Sequence, residues 1–191
     1  SLFSETMDGE LLEIFATEAA AHGQVLDDFI SHCRDLAGPA ELTDELQRAL
    51  HTLKGSANMA GITPVVTIVT PLEHTVKELR ASQLKVDEEL LALLERGSLY
   101  LKAGIEQLAS SPLQPFSDAD HYTAQLKSLL EYRIAKIIDT EAEEKGIPPE
   151  ALNNFLTTSL DLIIEISGKL VLWQQGDYDL SELGHFQQSM N

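Results

Sequence analysis

The residues with the clearest chemical potential lie in His51-Thr-Leu-Lys-Gly-Ser-Ala-Asn-Met-Ala-Gly61. A neutral histidine ring carries a nitrogen lone pair and titrates close to neutral pH, which makes it a nucleophile at physiological pH. Lys54 and Gly55 follow at i+3 and i+4, so on a helix both lie one turn from His51 on its own face. A cation beside an imidazole, with an absent side chain next to both, describes a surface that handles phosphoryl groups. Glycine inside a helix costs roughly 1 kcal/mol relative to alanine, so Gly55 implies a close approach to the backbone, by a partner or by another helix. Gln47, Arg48 and Asn58 share the His51 face, whereas Leu46, Leu50, Leu53, Ala57 and Ala60 form the apolar stripe opposite. His51 is therefore expected to face solvent. An ordinary surface histidine would show the same stripe; the neighbouring lysine and glycine weigh against that reading.

The elements that must position these residues are helices. Apolar spacing of helical period, with almost no alternating β-branched residues, runs through the first 110 positions. Leu11, Leu12, Phe15, Ala19, Leu26, Phe29, Ile30 and Cys33 mark a first helix ending near Ala37-Gly38-Pro39. Pro39 is placed to open the second, which carries His51 and stops at Gly61. Thr63 as N-cap and Pro64 as first helical residue start a third, with Val65, Ile68, Val69, Leu72, Val76 and Leu79 facing the core. Asp87 caps a fourth, built on Leu90, Leu93, Leu94, Leu101, Ile105 and Leu108. Four such stripes close on one another as an all-α antiparallel four-helix bundle over residues 1–110. The turn-rich stretch Ser110-Ser-Pro-Leu-Gln-Pro-Phe-Ser-Asp118 reads as a linker, assigned to 111–120. Residues 121–191 form a helical extension: one helix through Leu126, Leu129, Leu130, Ile134 and Ile138, a break at Gly146-Ile-Pro-Pro149, and a second from Phe155 to Trp173.

Composition narrows the function. The 191 residues carry 13 Lys+Arg against 31 Asp+Glu, a formal charge of −18 that repels nucleic acid and anionic lipid. No segment is apolar enough to span a membrane, and the start has no basic, then apolar, export signal. Cys33 is the single cysteine, which excludes an internal disulfide and fits a reducing, cytoplasmic location. The absence of an initiating methionine leads to the expectation that the chain is a piece of a longer protein. There is no GxxxxGK loop and no GxGxxG after a strand, so ATP chemistry is expected to come from elsewhere. No cofactor and no metal site are expected. Glu182-Leu-Gly-His185 has the Glu-x-x-His spacing of a di-metal bundle, but only once. His22, His32 and His74 are separated too far, or point too differently, to join a site.

The segment around His51 resembles the H-x-x-K-G-S/A motif of histidine phosphotransfer (HPt) domains, including the first domain of chemotaxis-type histidine kinases. The wording HTLKGSANMAGI is most similar to HPt modules of the chemosensory hybrid kinases of type IV pilus systems, which drive twitching motility. The resemblance covers about residues 8–108. It implies that His51 is the phosphoacceptor, that Lys54 stabilises the phosphoryl group, and that Gly55 leaves access. It also implies that Glu73, twenty-two residues on, hydrogen-bonds the far imidazole nitrogen and orients the ring. Glu73 to Lys77 is equally a favourable i,i+4 surface pair, and that alternative stands beside the supporting role. Gly61, at the family's downstream glycine, serves helix ending. The second histidine often found nineteen residues after the phosphoacceptor is Thr70 here, which cannot titrate near neutral pH.

Further implications concern partners. Phosphate would come from a histidine kinase catalytic domain or from an aspartyl-phosphate receiver domain of a response regulator, the receiver bringing its own acidic pocket and Mg²⁺. Exposed apolar side chains near His51, Met59 among them, would form the patch such a receiver covers. The extension could be a partial or degenerate second HPt-like unit, but His121 and His185 lack Lys at i+3 and Gly at i+4. A different reading also stands: a non-catalytic HPt-like scaffold that docks or dimerises signalling partners without exchanging phosphate.

Overall fold

In the computed structural model the described residues are 2–36, 38–108 and 113–148, with positions 150, 151, 154, 157 and 158. Five helices carry the chain: α1 (Leu2–Asp35), α2 (Asp44–Met59), α3 (Thr63–Ala81), α4 (Glu88–Leu108) and α5 (Ala119–Glu144). A two-residue antiparallel pair joins β1 (Ala40–Glu41) to β2 (Lys85–Val86), with Ala40 opposite Val86 and Glu41 opposite Lys85. α1 packs on α2 and α4, and α3 packs on the same two, so the four helices close into a ring. Their apolar stripes meet inside it: Phe15 and Leu26 from α1, Leu46 and Leu50 from α2, Leu72 from α3 and Leu94 from α4 are all essentially inaccessible. The core residues expected for α3 are all buried.

Two helix starts differ from the sequence expectation. Pro39 does not open the second helix. The chain first makes β1, burying Ala40 and Leu42, and α2 begins at Asp44 after Thr43, whose Oγ1 accepts from Leu46 N at 3.2 Å. A hydroxyl cap followed by Asp44 and Glu45 in the first turn satisfies amide donors and complements the helix dipole, which Pro39 could not do. Thr63 is likewise not the cap of α3. Ile62 takes that position without a side-chain bond, and Thr63 is the first helical residue. Burial decides it: Ile62 is fully inaccessible, pinned by its N–H to Ala57 O at 2.9 Å, so the chain turns into α3 directly behind it. Asp87 does cap α4, its Oδ1 accepting from Leu90 N at 3.0 Å.

The chain divides by its contacts into Ser1–Ile137 and Ile138–Asn191, later than the 111–120 stretch read as a linker. The reason is α5. Tyr122 is completely buried and donates its hydroxyl to Leu93 O at 2.9 Å, while Leu126 and Leu129 join the bundle's core. α4 is shaped for this contact: a Cβ on Gly97 would lie 2.7 Å from both Leu72 Cδ2 and the Tyr122 hydroxyl. In the second unit, α5 ends at Glu144 and the chain turns through Gly146 at φ +64°. The second helix expected over Phe155–Trp173 lies outside the described residues, apart from Thr157 and Thr158.

Candidate functional site

The site is built on the facing surfaces of α2 and α3. The Thr43 cap fixes the start of α2, and its end is closed by a Schellman arrangement: Ile62 N–H bonds Ala57 O at 2.9 Å and Gly61 N–H bonds Asn58 O at 3.1 Å. Gly61 takes φ +69°, a conformation that costs an L side chain roughly 1–2 kcal/mol, which accounts for glycine there. With both ends set, the buried stripe Leu46, Ala49, Leu50, Leu53 and Ala57 turns His51 outward.

Three side chains then converge. His51 Nδ1 lies 3.2 Å from Glu73 Oε1, and Lys54 Nζ lies 2.7 Å from Glu73 Oε2. The carboxylate is buried, with 7% of its side chain exposed, against 26% for Lys54 and 70% for His51. An ionised carboxylate only accepts, so the ring donates from Nδ1 and keeps its lone pair on Nε2, in the exposed part of the ring. Burial works to raise the Glu73 pKa, but the bonds and charges of Lys54 and His51 outweigh it and hold the carboxyl below its ordinary value. Glu73 is therefore a charged, buried anchor, and the Glu73 to Lys77 surface pair is not the arrangement found. The donation by Lys54 to the same carboxylate was not foreseen; only the i+3 spacing of Lys54 from His51 hinted that both would face one partner.

Gly55 is open. A Cβ built on it meets nothing within 4 Å, so no helix contact within the described fold requires glycine, and the space lies toward solvent. Gln47 and Arg48, expected beside His51, are held in place: Gln47 accepts from Arg80 at 2.8 Å, Arg80 also lies 3.2 Å from Asp44, and Arg48 pairs with Asp44. Arg80 was missed by the sequence reading, although it stands two helical turns after Glu73 on the same stripe. Asn58 donates to Lys54 O at 2.9 Å. Thr70 is exposed, and His74 points outward with Nδ1 3.9 Å from Glu78. Met59 is 81% exposed, and on α1 Ile14 and Leu11 are exposed as well. Ser56 donates to Glu18, one turn beyond Ile14, which brings these three to the same α1–α2 side of the bundle.

No cluster of three or more His, Cys, Asp or Glu side chains suited to a metal occurs among the described residues, and Glu182 and His185 fall outside them. Among those residues no helix is long and apolar enough to cross a membrane. Cys33 is half-buried and unpaired, and burial pushes its thiol pKa up.

A family model described as "Hpt domain" matches residues 10–111. Proteins named "Chemotaxis protein CheA" from Listeria monocytogenes and Listeria innocua are each 26% identical over 153 residues, covering 74% of this chain. The chain spans about a quarter of the length of these relatives, 25% in each case. Among solved structures, the fold resembles one titled "Crystal structure of the phosphorylated P1 domain of CheA3 in complex with CheY6 from R. sphaeroides", at 22% identity and a TM-score of 0.55. That match covers 64% of this chain and 97% of the other.

Proposed function

The chain belongs to the Hpt domain family, and from that premise we propose that His51 is the phosphoacceptor of a chemosensory phosphorelay. The observation that carries this is the ring's fixed tautomer: with Nδ1–H on Glu73 Oε1 at 3.2 Å, the lone pair belongs to the exposed Nε2. An incoming phosphoryl group forms its P–N bond with that lone pair. The donor's P–O bond breaks, its electron pair leaving with an aspartyl carboxylate or a nucleoside diphosphate. The positive charge that develops on the imidazole is offset by the Glu73 carboxylate, whose depressed pKa keeps it ionised. Lys54 is one turn away for the phosphoryl oxygens, and open Gly55 admits the donor.

The partners of this reading are a histidine kinase catalytic domain and a response-regulator receiver, which docks over exposed apolar side chains such as Met59 on the helix that carries the ring. The similarity of HTLKGSANMAGI to modules of pilus hybrid kinases supports a parent protein that acts in twitching motility. The test is transfer of label from a phosphorylated receiver or a cognate kinase domain to the wild type and to His51→Gln. Acid-labile, base-stable label on the wild type alone is the expected result. Label persisting on His51→Gln would falsify the assignment, and no label on folded wild type would favour the scaffold reading.

A further inference from the structure

Cations in this chain are few, and most of those among the described residues are engaged. Arg34, Arg48, Lys54, Arg80, Arg96, Lys102, Lys127 and Arg133 all make ion pairs. In a chain with 31 acidic residues that is the expected fate of a lysine or arginine. Lys77, like Lys85 on β2, is different: among the described residues it makes no ion pair and is exposed. Its place on α3 is informative. It follows Glu73, the anchor of His51 and Lys54, by four residues, and it precedes Arg80, which bonds Gln47 and lies beside Asp44, by three. Residues three and four apart on a helix are surface neighbours, with Cβ atoms about 5–6 Å apart. Lys77 therefore stands on the outer rim of the stripe by which α3 meets α2, between the contact at His51 and the contact at Gln47.

Lys54, the other cation of the site, is already committed. Its ammonium is 2.7 Å from Glu73 Oε2, and Glu73 needs that bond to remain charged while buried. Drawing Lys54 fully onto a phosphoryl group would leave a buried carboxylate with less compensation, an arrangement that burial penalises. A phosphoryl group on the exposed Nε2 brings about two negative charges to the rim where Lys77 is uncommitted. Resting on the assignment of His51 as phosphoacceptor, we propose that Lys77 is a second phosphoryl-binding cation of the site, reaching the transferred group from the α3 side while Lys54, with its other donors on the phosphoryl oxygens, keeps its bond to Glu73.

The experiment uses phosphoramidate as donor, which bypasses any docking partner. The Nε2 lone pair forms the new P–N bond as the donor's own P–N bond breaks. Ammonia leaves with that bond's electron pair, and the Nδ1 proton stays between the ring and Glu73. The whole chain is compared with Lys77→Gln, Lys77→Arg, His51→Gln and Lys85→Gln. Lys85→Gln removes the same charge from another lysine without an ion pair, on β2 beyond the end of α3. Two quantities are read: the rate of labelling, and the pH at which the phosphohistidine ³¹P resonance titrates.

Lys77→Gln should slow labelling by about two- to fivefold, the scale of one exposed charge contact, and should move the phosphoryl titration to higher pH. Lys77→Arg should keep most of both properties, and Lys85→Gln should match the wild type. A wild-type rate and an unshifted titration in Lys77→Gln would overturn the role of Lys77 and leave His51 untouched. Equal losses in Lys77→Gln and Lys85→Gln would also overturn it, by reducing the effect to net charge. Label on His51→Gln would overturn the His51 assignment and this role with it.

Discussion

At the scale of single residues, Glu73 decides the chemistry. Two neighbours bind its two oxygens, so removing the charge should have effects on both stability and transfer. Glu73→Gln should cost about 1–2 kcal/mol at pH 7, in the range for hydrogen bonds involving charged groups with one partner still exposed. The pH dependence follows from the direction of the shift. A carboxyl held below its ordinary value in the folded state contributes stability above the unfolded value near 4.3, and this is lost as pH falls through the folded value. Thermal unfolding between pH 3 and 7 should therefore show the gap between wild type and Glu73→Gln closing on acidification. The same variant should be labelled more slowly at His51 than the wild type, because the amide can present either a donor or an acceptor to Nδ1 and no longer selects one tautomer.

At the scale of elements, the ends of the helices carry the identifiable stabilities. α2 and α3 both finish in Schellman turns, but the left-handed residue is Gly61 in one and Gln83, at φ 56°, in the other. In the second turn Leu84 N–H bonds Leu79 O at 2.9 Å and Gln83 N–H bonds Arg80 O at 3.0 Å, so the tertiary contacts of Leu84 and β2 impose the geometry on a residue that disfavours it. Gln83→Gly should then stabilise the protein by about 0.5–1 kcal/mol, and Gly61→Ala should destabilise it by about 1 kcal/mol. Chemical denaturation with an unchanged slope would check both. The start of α3 illustrates why sequence rules misplaced its cap: Thr63 is the better capping residue, but the fully buried Ile62 had to sit at the turn.

At the scale of the whole molecule, α5 is a part of the described bundle through its first half. Tyr122 is its anchor, in ring contact with Tyr100 at 5.0 Å and lying under the Arg96 guanidinium at 5.3 Å. Burial pushes the Tyr122 phenol far above its ordinary pKa. A group whose folded value is raised supports the fold below its unfolded value near 10, and that contribution fades as pH climbs above it. Tyr122→Phe should lose about 1 kcal/mol at pH 8 with the bond to Leu93 O, and the deficit should shrink above pH 10 as the wild type alone must keep this phenol protonated. Gly97→Ala tests the same seam sterically. A methyl 2.7 Å from two side chains forces Leu72 or Tyr122 to move, at a cost of about 1–3 kcal/mol in a melt.

The all-helical class, the buried stripes, the outward His51 and the spacing of Lys54 and Gly55 were legible in the sequence, because each follows from helical periodicity within a few turns. The resemblance of the motif added Glu73 at the right distance. What the tertiary structure alone decided are pairings between elements: Lys54 sharing the Glu73 carboxylate with His51, Arg80 reaching Gln47 and Asp44, β1 meeting β2, and α5 seating Tyr122 on α4. A single sequence states which face of a helix is apolar. It does not state which neighbour covers that face or which of several acids a lysine meets, since those depend on the rotation and register of packed helices. The assignment of Lys77 belongs to this second kind, for its place between the Glu73 and Arg80 contacts, without an ion pair of its own among the described residues, is visible only in the packed helices.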